Sequence, residues 1–149
     1  MTVIGIGARK PIGLACALLF VLTQPALADH HATDMRVVYH MDDSRNGRFA
    51  LHIAADQLET NPDMKIAVVA YMGGVDFLLK GGKDRKGVPY EPAIQDLIAR
   101  GVQFRACSAT LGFRDIGKDE VVDGIEFVPA GTYEVIRLQA EEGYVYLKP

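Results

Sequence analysis

The segment Lys65 to Tyr71 carries Ile66, Val68, Val69 and Ala70, so an extended chain there is apolar on both faces. Strands of that kind belong to parallel sheets covered by helices on either side. The rest of the chain supplies a matching alternation. Arg36-Val37-Val38-Tyr39-His40 is β-rich and stops at Asp42-Asp43-Ser44, which reads as a turn and helix-capping cluster. Phe49 to Leu58 has helical spacing, with Phe49, Ile53 and Leu58 near one face, and Asn61-Pro62-Asp63 ends it. After Lys65 to Tyr71, Gly73-Gly74 breaks the strand and Val75 to Lys80 forms a short helical turn.

A charged loop over Gly81 to Pro89 leads to a helix over Glu91 to Arg100, closed by Gly101. Val102 to Cys107 is a third strand, Ser108 to Gly117 a loop, and Lys118 to Val122 a short helical stretch. Ile125 to Val128 is a fourth strand, Tyr133 to Glu141 a helix stopped by Gly143, and Tyr144 to Leu147 a fifth strand. This order predicts a three-layer α/β/α sandwich around a five-stranded, mostly parallel, flavodoxin-like sheet. A strand order of 2-1-3-4-5 is expected, with its switch point between the first and third strands. Ligands bind outside the carboxyl ends at such a point, which is where His40 and Cys107 would meet.

The N-terminus has a different character. Arg9 and Lys10 precede the apolar run Ile12 to Leu22, and Gln24-Pro25-Ala26-Leu27-Ala28 ends in an Ala-x-Ala pattern. That order predicts a signal peptide over residues 1–28, a leader over 29–34 and one domain over 35–149. The apolar run is shorter than the roughly 20 residues of a membrane span. Gly13 stands where a lipoprotein signal would place an aliphatic residue before Cys16. The expected destination is the periplasm or the outside of the cell, with no membrane attachment after cleavage. Cleavage removes Arg9 and Lys10 and leaves the chain more acidic than its overall net charge of −3. Such a balance gives nucleic acid nothing to hold.

Of the 2 cysteines in the chain, only Cys107 lies beyond the cleavage point. An exported protein normally pairs its cysteines. A lone one is either buried and inert or kept for chemistry. In the second case Ser108 and the backbone beyond it, together with Arg105 or Arg114, would stabilise a thiolate. His40 would serve as base or donor beside it; the alternative is a solvated turn histidine. A cysteine–histidine hydrolase is a further option, without any nucleophile motif to support it. Gly73 and Gly74 would aim N–H groups at an anion or simply make a turn. Lys83-Asp84-Arg85-Lys86 is either a lid over the strand ends or a solvated charge run. Cleavage after Ala28 exposes Asp29-His30-His31, whose amine, two amides and imidazole form a square-planar set suited to Cu(II) or Ni(II); its alternative is a polar leader.

Several segments in sequence resemble the DsrE/DsrF-like family of sulfur-relay proteins. They are Val37-Val38-Tyr39-His40, Val68 to Val75 with Leu78-Leu79, Leu97 to Cys107, Ser108-Ala109-Thr110-Leu111, Val128-Pro129-Ala130-Gly131 and Leu138 to Pro149. The resemblance spans about Met35 to Pro149. It implies an α/β sandwich that assembles as a homotrimer or homohexamer and needs no cofactor. It also implies that Cys107 carries sulfur as a persulfide between a donor and an acceptor protein or small thiol. The relay members of the family are cytoplasmic, whereas this chain carries an export signal. The competing reading is a non-catalytic oligomeric binding module with a structural cysteine.

Overall fold

A computed structural model describes residues 1–2 and 34–149 of the chain. The expected signal peptide beyond residues 1–2 and the Asp29-His30-His31 metal set lie outside the described residues. The ordered elements are β1 (Arg36–Asp43), α1 (Gly47–Thr60), β2 (Lys65–Gly73), α2 (Glu91–Ala99), β3 (Gln103–Cys107), α3 (Ser108–Phe113), β4 (Glu126–Val128), α4 (Gly131–Glu142) and β5 (Val145–Leu147). Short 3-10 turns occupy Ser44–Asn46, Gly74–Leu78 and Lys118–Glu120. Among the described residues, no helix is long and apolar enough to cross a membrane.

The five strands form one sheet, and every pairing in it is parallel. Its order is β4-β3-β2-β1-β5 rather than the expected 2-1-3-4-5. The apolar pattern of β2 contains the reason. Ile66, Ala67, Val68, Val69 and Ala70 are all buried, and a strand buried on both faces belongs in the middle of a sheet. The expected order would have left it at an edge. The edges go instead to β4 and β5, where Glu126, Phe127, Val145 and Tyr146 are exposed.

Connection handedness accounts for the rest. From β1 to β4 each crossover steps the same way, so right-handed connections keep their helices on one face. On that face Ala50, Leu51, Ala54, Ile94, Leu97 and Leu111 pack onto Tyr39, Met41, Val68 and Phe104. After β4 the chain reverses direction, and α4 crosses the opposite face to set β5 beside β1. There Val135 and Leu138 close over Val38, Ala67 and Val69. The switch point of this sheet therefore lies between β1 and β5.

Two local expectations change. Helix α1 begins at Gly47 and buries Ala50, Leu51, Ala54 and Leu58, leaving Phe49 56% exposed on the outer side. The segment after Cys107 is helical from Ser108 rather than a loop. Its six residues are too few to show a periodicity, and only Thr110 and Leu111 are buried.

Candidate thiol site at the carboxyl edge of the sheet

Strand alternation puts Arg105 and Cys107 of β3 on the face covered by α4, with Tyr71 of β2, His40 of β1 and Tyr146 of β5. The register is fixed by the pairs Ala70 with Ala106, His40 with Val69, and Val38 with Tyr146. A row of functional side chains thus crosses the sheet at its carboxyl end. Because β2 intervenes, His40 and Cys107 are not neighbours, and Tyr71 stands between them.

Cys107 is 4% exposed. It is the residue before α3, and its sulfur accepts the Thr110 N–H at 3.4 Å. The start of α4 presses in from the other side. A β-carbon at Gly131 would lie 2.9 Å from the Tyr71 β-carbon and 3.3 Å from that of Cys107, so only glycine lets the α4 backbone come this close. Burial pushes the Cys107 thiol pKa up. The Thr110 hydroxyl and the N–H groups of Gly131, Thr110 and Ala109 outweigh that and leave it below the ordinary thiol value. The sulfur is therefore a small anion site made by two helix starts and one hydroxyl.

Thr110 has a second contact. Its hydroxyl oxygen accepts the Met72 N–H at 3.0 Å, which leaves its own proton for the sulfur. Met72 has a φ of 49°, unusual for a residue with a side chain. Its carbonyl accepts from Arg114 at 3.0 Å, and Arg114 pairs with Asp76 at 2.6 Å. Held by these bonds, the chain turns sharply beside the thiol.

Neither arginine expected to support the thiolate does so. Arg105 is directed to Glu134, to Glu126 at 3.1 Å and to Gln103 at 2.8 Å. Arg137 is the main influence holding Glu134 below the usual carboxylate range, with Arg105 adding to it. The charge of Arg105 is thereby neutralised under α4, and that of Arg114 is taken by Asp76. The glycine pair also has a packing task. A β-carbon on Gly74 would fall 2.1 Å from the Met41 carbonyl oxygen, so Gly74 permits the close approach to β1, while Gly73 ends β2. Ser108 is half-buried at the start of α3.

His40 belongs to a separate cluster. Its Nδ1 lies 2.7 Å from the Tyr146 hydroxyl, and its Nε2 is bonded to the Tyr71 hydroxyl. Asp42 is 3.7 Å from Nε2 and accepts from Lys148 at 2.7 Å. Burial is the main cause that lowers the His40 pKa; Asp42 opposes it and Lys148 adds to it. The imidazole is therefore neutral near pH 7, accepting from one tyrosine and donating to the other. Sequence reasoning missed Tyr71 and Tyr146. The alternation of β2 and β5 places both on this face, but only the true strand order brings them to His40. Among the described residues, no group of three or more His, Cys, Asp or Glu side chains is placed to hold a metal.

A parallel α/β sandwich with a hydrogen-bonded thiol at the end of its third strand defines the class of protein. The sequence profile of the DsrE/DsrF-like family matches residues 35–149, and the chain belongs to that family. It is similar to MTH1491 of Methanobacterium thermoautotrophicum, a protein of unknown function. The two share 30% identity and a TM-score of 0.68 over 78% of this chain and 100% of that one. The fold is also that of ychN from E. coli, at 18% identity and a TM-score of 0.60 over 78% of this chain and 97% of the other. No curated protein matches the chain.

Proposed function

We propose that the chain is a periplasmic sulfur carrier that holds sulfane sulfur as a persulfide on Cys107. The observation that carries the reading is the polar surround of the sulfur, which accepts the Thr110 N–H at 3.4 Å and whose pKa the Thr110 hydroxyl and the N–H groups of Gly131 and Ala109 also lower. The Cys107 thiolate attacks the outer sulfur of a donor R–S–SH and forms Cys107–S–SH, while R–S⁻ leaves. An acceptor thiolate then attacks that outer sulfur, takes it, and restores the Cys107 thiolate. No net oxidation occurs, and no cofactor is required. Donor and acceptor are a partner protein or a small thiol. Family membership supports the reading, as does the exposed Met72 beside the site, an apolar contact for a docking partner.

Export rests on the N-terminal pattern, and intact mass of the secreted product should begin at Asp29. On that product Asp29, His30 and His31 would bind Cu(II), and His31→Ala should abolish the binding. Assembly as a homotrimer or homohexamer has support in the exposed Tyr133, Ile136 and Val145 of α4 and β5, and light scattering tests it.

A second reading has its own observation. With Cys107 at 4% exposure, the thiol also suits a structural role in an oligomeric binding module. Polysulfide treatment of the folded protein separates the two. A carrier gains one sulfur on Cys107 and none in Cys107→Ser; a structural cysteine gains none until the protein is denatured.

A further inference from the structure

The charged loop that precedes α2 forms part of a concave site away from Cys107. Asp84 fixes the loop. Its Oδ1 accepts the N–H groups of Lys86 and Val88, each at 2.9 Å, and its carbonyl accepts the Gly87 N–H at 2.9 Å. Lys83 and Pro89 pair across the base as an antiparallel bridge. The result is a rigid hairpin with Arg85 and Lys86 at its tip.

Helix α1 and the Ser44–Asn46 turn before it supply the facing wall. Arg48 donates from Nε to Asp84 at 3.0 Å, and from Nη2 to the carbonyls of Val88 and Pro89 at 2.9 and 2.8 Å. Its guanidinium also lies 5.0 Å from the centroid of the Tyr90 ring. Arg45 donates to Asp43 from Nε at 2.6 Å and pairs with it again through Nη2. Among the described residues, Nη1 of both arginines makes no hydrogen bond, and Arg85, whose charge acts on Asp43 and Tyr90 from a distance, forms no ion pair, nor does Lys86. Together with Asp84 and Tyr90 these four cations line a cavity of about 220 Å³. Asp43 and Asp84 offset two of the four positive charges. The surplus stands on a chain whose net charge is −3.

We infer that this pocket, walled by Arg45, Arg48, Arg85, Lys86 and Tyr90, binds a tetrahedral dianion, either free or as the terminal group of a small molecule. The geometry suits that chemistry. Two guanidinium groups already oriented by structural bonds present their remaining N–H donors at little further ordering cost. The two cations at the hairpin tip close over a doubly charged ligand. Helix α2 begins directly after Tyr90 with no side chain capping it, which adds partial positive charge to the same corner. The volume exceeds that of a bare sulfate or phosphate and leaves room for an attached group. The site stands independently of the sulfur-carrier reading.

The test is thermal unfolding of the purified protein with sodium sulfate, sodium phosphate or phenyl phosphate, each against sodium chloride at matched ionic strength. A ligand of the folded state raises the midpoint by mass action. The expected result is an upward shift of a few degrees at millimolar anion. It should be lost in the Arg85→Gln/Lys86→Gln double variant and kept in Lys118→Gln, a cation elsewhere on the surface. Shifts with the inorganic ions identify a free dianion; a shift with phenyl phosphate alone identifies a terminal group, and either supports the site. Amide NMR needs no variant: added sulfate should move the signals of residues 45–48, 84–88 and 90. The inference is overturned if chloride gives the same shift, if the double variant keeps the response, or if the amide changes lie outside those segments.

Discussion

Replacing Thr110 by valine removes one hydroxyl with almost no change of shape, and the consequences can be worked from its two contacts. Towards Cys107 it deletes the side-chain bond to the sulfur. A hydrogen bond to a charged group contributes about 1.5–3 kcal/mol. At roughly 1.4 kcal/mol per pH unit, the alkylation midpoint of Cys107 should rise by about one unit or more. Towards β2 it takes away the acceptor that the part-buried Met72 N–H meets at 3.0 Å, which costs about 0.5–1.5 kcal/mol of stability. The pH dependence of stability follows as well. Because the folded thiol pKa is lowered, its stabilisation is full above the unfolded value of about 8.5. It is lost as the pH falls through the folded value, so Thr110→Val should flatten the stability profile in that window. The assay is the rate of alkylation by iodoacetamide against pH for the wild type, Thr110→Val and Thr110→Ser. Serine should restore most of the wild-type midpoint. An unchanged midpoint in the valine variant, or a serine variant that behaves like valine, would refute the role given to the hydroxyl.

Other consequences can be checked with the same protein. Gly74→Ala drives a β-carbon to within 2.1 Å of the Met41 carbonyl oxygen, and chemical denaturation should show a loss of about 3 kcal/mol or more, at or beyond the usual overpacking range. Arg105→Met leaves Glu134 buried without one of its partners and should lower the thermal midpoint, yet the Cys107 alkylation profile should stay in place because the arginine serves Glu134 and not the sulfur. His40 should titrate by NMR below the usual histidine value of about 6.5. Its unfolded form binds the proton first, so its contribution to stability is full above that value and declines as the pH falls from there towards the folded value; a His40→Asn variant should lack that slope.

The alternation of strand and helix was legible because each segment carries its own period and punctuation. Asn61-Pro62, Gly101 and Gly143 end α1, α2 and α4 within a residue or two of where they stop. The both-face apolar pattern of β2 fixed the parallel sheet and also held the clue to its order, since such a strand does not belong at an edge. Cys107 at a strand end was legible too, as was His40 at the same edge. Their separation was not, because it depends on which strands pair, a tertiary property absent from local spacing. The roles of Arg105 and Arg114 were misjudged for a related reason. Each lies close to Cys107 in sequence, but Glu134 and Asp76, which take their charge, come from other elements. The Thr110–Met72 bond was beyond reach as well, since no local pattern marks a left-handed methionine 38 residues away.

The central claim is that Cys107 passes sulfur on, and transfer tests it most directly. The folded protein is treated with polysulfide, freed of excess reagent, and mixed with a small thiol while the mass of the Cys107 peptide is followed. The carrier account predicts one added sulfur on that peptide after loading, none in Cys107→Ser, and its loss to the acceptor with a matching gain of persulfide on the small thiol. A Cys107 that stays at its free mass in the folded protein, or holds the sulfur and never gives it to the acceptor, would contradict the account.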